Sequence, residues 1–379
     1  MKIGLLGFGV VGRGVYDILA ERKDVSVGAV LCRRDLGKLT ARTTREMDDI
    51  LADPEIEAVV EVMGGLHPAY EYVSAALRAG KHVVTSNKHL LCHYYEELTA
   101  LAKEHGVALR ATAAVGGGIP WLVNLERAAR ADRISKISGI MNGTTNYIMD
   151  AMHKSDADFA DVLRKAQALG YAEADPSADI DGWDIQRKLI ISAGVAFGVC
   201  LQEDDVPVFG IRNVASEDIR RFQAHGRTCK LIASAERLSD SVAAYVEPTL
   251  LTSDALEAAV PANFNLLSME GEFMGRESFF GQGAGRYPTA YNVVQDLMDI
   301  AAGVQGFYTD RFADAGTNNA GCLHRYYVRT GAKLPALEAA RDDDWDGAVI
   351  TMPMSVAQMH ALSKSMLEAD PKSFFAALA

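Results

Sequence analysis

The chain has 379 residues, 49% of them hydrophobic and 23% charged, which suits roughly two or three globular domains with large buried cores. A net charge of −12 excludes a general nucleic-acid or anionic-membrane binder, because nothing outside a local patch would compensate phosphate charge. A small-molecule ligand fits better, and the five scattered cysteines, none in a CxxC pair, fit a reducing cytosol rather than a disulfide framework or zinc site.

The chain starts MKIGLLGFGVVG, without the basic start, long apolar segment and cleavage site of a signal peptide. No later apolar run approaches the ~18 residues that would span a bilayer. A soluble, cytoplasmic protein is expected. In chain order, strands are predicted at Lys2–Gly7, Val25–Cys32, Ala58–Met63, His82–Ser86 and Val107–Thr112, with helices near Arg13–Arg22, Pro68–Ala79 and Cys92–Glu104. Alternation of short apolar strands with helices builds a parallel sheet covered on both faces. Residues 1–118 are therefore read as a doubly wound (Rossmann) nucleotide-binding domain, completed by a helix near 289–303.

Within it, GFGVVG sets Gly7, Gly9 and Gly12 between a strand and a helix. Gly7 suits the tight turn, Gly9 the close approach of backbone to a pyrophosphate, and Gly12 close helix–strand packing. The whole loop is expected at the cofactor, Phe8, Val10 and Val11 included. The second strand runs into Arg33 and Arg34, whose guanidinium groups can pair with the 2′-phosphate of NADP; Asp35 nearby leaves NAD possible. Past the fourth strand, VVTSNKHLL places Ser86, Asn87 and Lys88 where doubly wound folds bind ligands; they and Gly64 are further expected cofactor contacts. An exposed lysine in a turn is the bland alternative for Lys88.

From VGGGIP onward the texture changes. Helices near Trp121–Ala131, Phe159–Leu169 and Trp183–Val199, with strands at SKISGIMNG and SVAAYVEPTL, describe a second, α+β domain over residues 119–320. HRYYVRT and GAVITMPMS read as strands and Val356–Leu367 as a helix, so residues 321–379 are predicted to form a small α+β C-terminal appendage. DDDWDG at Asp342–Gly347 reads most simply as a solvated loop.

YAEADPSADIDGWDIQRK, Tyr171–Lys188, gathers Glu173, Asp175, Asp179, Asp181 and Asp184 before Lys188. An EF-hand register through Asp179, Asp181 and Gly182 puts Lys188 where a bidentate Glu is required, which excludes that loop. A solvated acidic turn is the ordinary reading, but Tyr171, Ile180 and Trp183 are interleaved with the acids. On a helix opened by Gly182, Asp184 and Lys188 share a face at i and i+4, either as a surface ion pair or as a carboxylate and a proton-exchanging amine in a pocket. For such an amine, burial disfavours the charged form and a neighbouring carboxylate favours it.

GFGVVG, VTSNK, AVGGGIP, GIMNGTTNYI, LGYAEADPSADIDGWDIQRKL and GQGAGRYPTA, together spanning about residues 2–310, resemble homoserine dehydrogenase. The resemblance implies an oxidoreductase interconverting L-homoserine and L-aspartate 4-semialdehyde with NADP(H), favoured, or NAD(H), on the way to threonine and methionine, usually as a homodimer, with residues 119–320 as its substrate-binding, catalytic and dimerisation domain. It implies that Glu173 and Asp184 bind the substrate ammonium with Asp179 in support, and that Gly143 and Thr144 hold its carboxylate. Asp175 and Asp181 then shape the turn. Lys188 would be the proton donor and acceptor, assisted by Lys88, and Gly170, Gly283 and Gly285 would close the cofactor side. It also implies a sodium ion on the backbone carbonyls of Val115, Gly117 and Ile119. Thr112 stands where the family usually has a Glu, so a weakened site is expected. Many relatives end in an ACT-type amino-acid-sensing module; here GAKLPALEAARDDDWDG replaces its glycine-bearing loop and helix, so a shortened module is expected. Two other readings are a non-catalytic nucleotide- and amino-acid-binding sensor and a dehydrogenase for a related semialdehyde.

Overall fold

The computed structural model describes residues 1–155, 157–306 and 316–379. The chain divides into two compact units, the first made of residues 1–131, 194–200 and 281–313, the second of residues 132–193, 201–280 and 314–379.

The first unit is built on six parallel strands, β1 (Lys2–Leu6), β2 (Ser26–Leu31), β3 (Arg42–Thr44), β4 (Ile56–Glu61), β5 (His82–Thr85) and β6 (Leu109–Arg110). Their order is β3-β2-β1-β4-β5-β6, all neighbours parallel, the dinucleotide-binding arrangement. Leu5, Val30, Val60 and Val84 are fully buried, which is why the middles of β1, β2, β4 and β5 are apolar on successive residues rather than alternating. Thr112, expected on the last strand, instead opens a 3₁₀ turn, Thr112–Ala114. The helix Arg286–Ala301 packs against the helix Val10–Ala20, burying Ala290, Val293 and Leu297 in the same core.

The second unit is a ten-stranded mixed sheet: β7 (Ile134–Ile140), β8 (Thr228–Arg237), β9 (Val242–Leu251), β10 (Phe264–Gly271), β11 (Gly275–Gln282), β12 (Leu323–Arg329), β13 (Arg341–Trp345), β14 (Ala348–Thr351), β15 (Met354–Ser355) and β16 (Phe374–Leu378). The path runs β11-β10-β7-β8-β9-β16-β12-β14-β13, with β15 on β12. The helix Gly143–Ser155 packs on β8 and β10.

The tail departs from expectation in two ways. It does not stand as a separate appendage, because β16 pairs in parallel with β9 and carries the sheet onward. Nor does it lack elements. It runs β12, helix Pro335–Ala339, β13, β14, helix Val356–Ala369, β16, a complete split βαβ pattern, and only the first helix, five residues long, is shortened. The stretch expected as a solvated loop is strand β13 on the sheet edge, turned into β14 by Asp346 (φ 50°) and Gly347 (φ 88°). Asp-Gly supplies the two positive φ angles that a tight hairpin needs, and charged side chains on an edge strand discourage pairing with other chains.

Candidate active site

The nucleotide-binding features lie in the first unit. Gly7 holds φ 98°, open to glycine at little cost. A Cβ at Gly12 would lie 2.3 Å from the Gly7 carbonyl oxygen, whereas one at Gly9 would meet nothing within 4 Å. The loop thus needs Gly12 to close and keeps open space at Gly9, the cradle a pyrophosphate requires at a helix N-terminus. Val10 is 66% exposed at the first position of that helix. Val11 packs on the core instead, and so does Phe8, edge-on to Tyr16.

A cleft of about 300 Å³ is lined by Phe8, Gly9, Val10, Arg13, Arg34 and Arg286. Arg34 is therefore the arginine of the pair that faces it, joined by two that sequence reasoning passed over: Arg13, directly after GFGVVG, and Arg286, at the end of GQGAGR. Three guanidinium groups around an open glycine loop suit a phosphorylated dinucleotide. Asp35 accepts from the Gly37 amide at 2.9 Å, in a local turn.

Deeper in the unit, the buried Glu61 accepts from the Met63 and Gly64 amides and the Thr85 hydroxyl. Burial raises its pKa, against those hydrogen bonds. Asn87 caps the helix Lys88–Glu104 through the Leu90 amide at 3.1 Å and donates to the Gly65 carbonyl at 2.7 Å. Its side chain thus fixes the loop holding Gly64 (φ 78°), and the Ser86 amide is bonded to the Glu61 carbonyl. Lys88 is the first residue of that helix and half-buried. Gly285 (φ 131°) is the N-cap of helix Arg286–Ala301, and the Gly283 carbonyl lies so close to Gly117 that a Cβ there would come within 2.4 Å of it.

The acidic cluster lies in the second unit. Gly182 (φ 90°) precedes the helix Trp183–Phe197, on which Asp184 and Lys188 face one another. Both are buried, and Lys188 Nζ donates to Asp184 Oδ2 and to the Met141 carbonyl, each at 2.7 Å. The exposed ion pair is thereby ruled out. Asn142, inside GIMNGTTNYI but not singled out by sequence, donates to Asp179 Oδ1 at 2.8 Å and Asp184 Oδ2 at 2.9 Å, and its side-chain Oδ1 accepts from the Thr145 amide. One side chain thus ties both acids to the start of helix Gly143–Ser155. Burial first, and the charge of Asp184 second, raise the pKa of Asp179.

Other predicted residues take distinct places. The Thr144 hydroxyl donates to the Tyr171 carbonyl at 2.6 Å, and a Cβ at Gly143 would strike the Asn263 carbonyl. Glu173 is exposed. Gly170 (φ 76°) lies just past the end of helix Phe159–Ala168, a glycine stop. Asp175 accepts from the Ser177 amide, and Asp181 forms a two-bond pair with Arg212, each bond 2.7 Å. Those two acids shape the turn, and only Arg212, far along the chain, was invisible to local reading.

At the loop implied to hold sodium, Thr112 donates its amide and hydroxyl to Asp296, which also accepts from Arg110 Nε. Asn292 Nδ2 donates to the carbonyls of Gly117 at 2.7 Å and Ile119 at 3.1 Å. Thr112 and two of the three carbonyls expected to face an ion thus already face protein groups.

A glycine-loop nucleotide fold, an arginine-lined cleft and a buried acid–lysine cluster define an NAD(P)-dependent oxidoreductase. The comparisons with known proteins narrow this. The homoserine dehydrogenase family profile matches residues 120–298, and the profile of its NAD binding domain matches residues 7–111. The homoserine dehydrogenase of Bacillus subtilis is 40% identical over 314 residues, 79% of this chain and 72% of that one. That of Synechocystis is 39% identical over 345 residues, 87% and 79%. The crystal structure of a homoserine dehydrogenase from Thiobacillus denitrificans superposes with a TM-score of 0.90 at 33% identity, covering 100% of this chain and 98% of that one. A hyperthermophilic archaeal homoserine dehydrogenase in complex with NADPH gives a TM-score of 0.69 at 25% identity, covering 80% and 98%. The chain belongs to the homoserine dehydrogenase family of oxidoreductases.

Proposed function

We propose that the chain interconverts L-homoserine and L-aspartate 4-semialdehyde with NADP(H) in preference to NAD(H), and that Lys188 handles the proton. The carrying observation is the buried Lys188 ammonium held by Asp184 and the Met141 carbonyl. An ammonium has three N–H donors. Those two acceptors take two of them and aim the group, and the third is assigned to the substrate oxygen.

When bound, the nicotinamide supplies or accepts the hydride. In aldehyde reduction Lys188 gives a proton to the alkoxide as it forms, and in homoserine oxidation it takes that proton back. Lys88 assists beside the cofactor. Asp179 and Glu173 receive the substrate ammonium, and Asn142 keeps Asp179 and Asp184 in register. Asp184 then serves Lys188 as well as the substrate. The amides of Gly143 and Thr144, at a helix N-terminus, take the substrate carboxylate; the Thr144 hydroxyl, already donating to Tyr171, fixes that turn.

Arg34, Arg13 and Arg286 around the cleft support the NADP preference, with Arg33 outside its lining. A homodimer, a cytoplasmic location and a place in threonine and methionine biosynthesis complete the proposal and rest on family membership. Among the described residues no helix is long and apolar enough to cross a membrane.

The test is reduction of NADP⁺ or NAD⁺ by purified protein with L-homoserine from neutral to alkaline pH. Turnover with a lower KM for NADP⁺ is expected. No reduced cofactor under any of these conditions would overturn the reading.

A further inference from the structure

A cation in a backbone loop neutralises carbonyl dipoles that converge on one point, and oxygen ligands hold it there. In the loop from Val115 to Ile119 that convergence is produced by Gly116 (φ 83°) and Gly117 (φ 56°). The same task can be done by a group with two donors, because a carbonyl oxygen accepts a hydrogen bond as readily as it ligates a metal. Asn292 is such a group. It projects from helix Arg286–Ala301, is 1% exposed, and reaches the Gly117 carbonyl at 2.7 Å and the Ile119 carbonyl at 3.1 Å. Two backbone carbonyls facing the same side chain settle which end of the amide meets them: only Nδ2 can donate.

At the other edge of the loop the buried Asp296 carboxylate is paired without a metal. Asp296 takes the Thr112 amide at 2.8 Å, the Thr112 hydroxyl at 2.7 Å and Arg110 Nε at 3.1 Å, and Arg110 Nη2 reaches Asp299 at 2.6 Å. Asp296 and Arg110 are both fully buried. A monovalent cation entering here would meet two carbonyls that already accept from an amide, in the company of a guanidinium, with a neutral hydroxyl in the place of a carboxylate. The residues present do not fit the ion.

We propose that Asn292 is a built-in substitute for the cation: its amide cross-links the Gly117 and Ile119 carbonyls, so that this chain folds, binds nucleotide and turns over independently of sodium. Asn292 is a positioning residue, acting through the loop it holds.

The test uses the whole protein, dialysed and then measured in sodium, potassium or choline chloride at equal ionic strength. For the unaltered protein, melting temperature, NADPH affinity and turnover are expected to agree among the three salts within twofold for the affinity and rate. A saturable, sodium-specific rise in any of them would overturn the proposal. Asn292→Asp turns the donor into a carboxylate facing two carbonyls, a ligand set for a hard cation. It is expected to melt lower in choline than the parent and to recover part of the loss in sodium, a dependence that a merely space-filling Asn292 would not create. Asn292→Ala is expected to lose melting temperature equally in all three salts. An Ala variant with the parent's stability and turnover in choline would overturn the proposal too.

Discussion

Lys188 Nζ donates to Asp184 Oδ2 at 2.7 Å one helical turn away, and both side chains are buried. Breaking such a pair from one side leaves a charge without compensation and costs about 3–5 kcal/mol, whereas removing both charges avoids most of that loss. Lys188→Met alone is expected to lose both turnover and melting temperature. The double change Asp184→Asn with Lys188→Met should regain stability and still turn over about 10²–10⁴-fold more slowly than the parent. Denaturant titration and steady-state rates on the two variants separate the roles. Parental turnover in the double variant would remove Lys188 from the chemistry.

Asp179 gives a pH dependence of known sign. Its pKa lies above the ordinary carboxylate value, chiefly through burial and next through the charge of Asp184. The ionised form is the one that holds an ammonium, so homoserine KM is expected to climb as pH falls through that raised pKa. Stability moves oppositely: a carboxyl with a raised folded-state pKa binds its proton more tightly when folded, so its protonation favours the folded state as pH drops. Asp179→Asn should show a high KM at neutral pH with little further acid dependence. An unchanged acid limb would point to another group.

Gly9 and Gly12 make a matched pair. Ala at Gly12 would push Cβ to 2.3 Å from the Gly7 carbonyl oxygen, a backbone atom with little room to move, while Ala at Gly9 enters open space. Gly12→Ala is expected to lower the melting temperature. Gly9→Ala should fold normally, since φ is −83° there, yet weaken NADPH binding because the methyl occupies the path of the pyrophosphate. Calorimetry and fluorescence titration would show it; normal affinity in Gly9→Ala would mean that the phosphates do not approach that residue.

Arg34 lines the cleft with Arg13 and Arg286, and Arg33 does not. Arg34→Ala is therefore expected to cut NADPH affinity about 10-fold or more, the scale of a lost charge-assisted contact of roughly 1.5–3 kcal/mol, with little effect on NADH. Arg33→Ala should do less. Equal losses for both cofactors in Arg34→Ala would argue for general charge rather than recognition of the 2′-phosphate.

Features set by neighbours in the chain were legible beforehand. Parallel strands buried on both faces show as short apolar runs, Ile3–Leu6 in β1 and Ala58–Val60 in β4, and GFGVVG carries its turn and its cradle in a few residues. Strand β3, Arg-Thr-Thr at the sheet edge, has no such run. Strand β13 is nearly all charge because it lies on the edge of the second unit's sheet. Strand β16, Phe374–Leu378, becomes a strand only through β12 and β9 on either side; its alanines do not announce one. The acid–lysine pair could be placed on one helical face from its spacing, but not the groups that complete it. Asn142 joins acids 37 and 42 residues away, and Asn292 reaches carbonyls 173 and 175 residues away. Separations of that kind leave no local pattern.

His153 supplies a stability switch outside the acid–lysine cluster. Its Nε2 accepts from the Cys229 amide at 3.0 Å, so the ring must be neutral at that atom. Burial first, and the nearby Lys230 second, lower its pKa to about 4, with Asp150 opposing. The unfolded chain, with an ordinary His value of about 6.5, takes up the proton earlier. The stability contributed by neutral His153 is therefore complete above about pH 6.5 and is lost as pH falls toward 4, roughly 3 kcal/mol in all. His153→Gln keeps an acceptor for the Cys229 amide without a titrating group. It is expected to cost about 1 kcal/mol at neutral pH and to flatten the fall in melting temperature between pH 6.5 and 4. A variant whose melting temperature fell as steeply as the parent's over that interval would show that His153 does not carry the acid sensitivity.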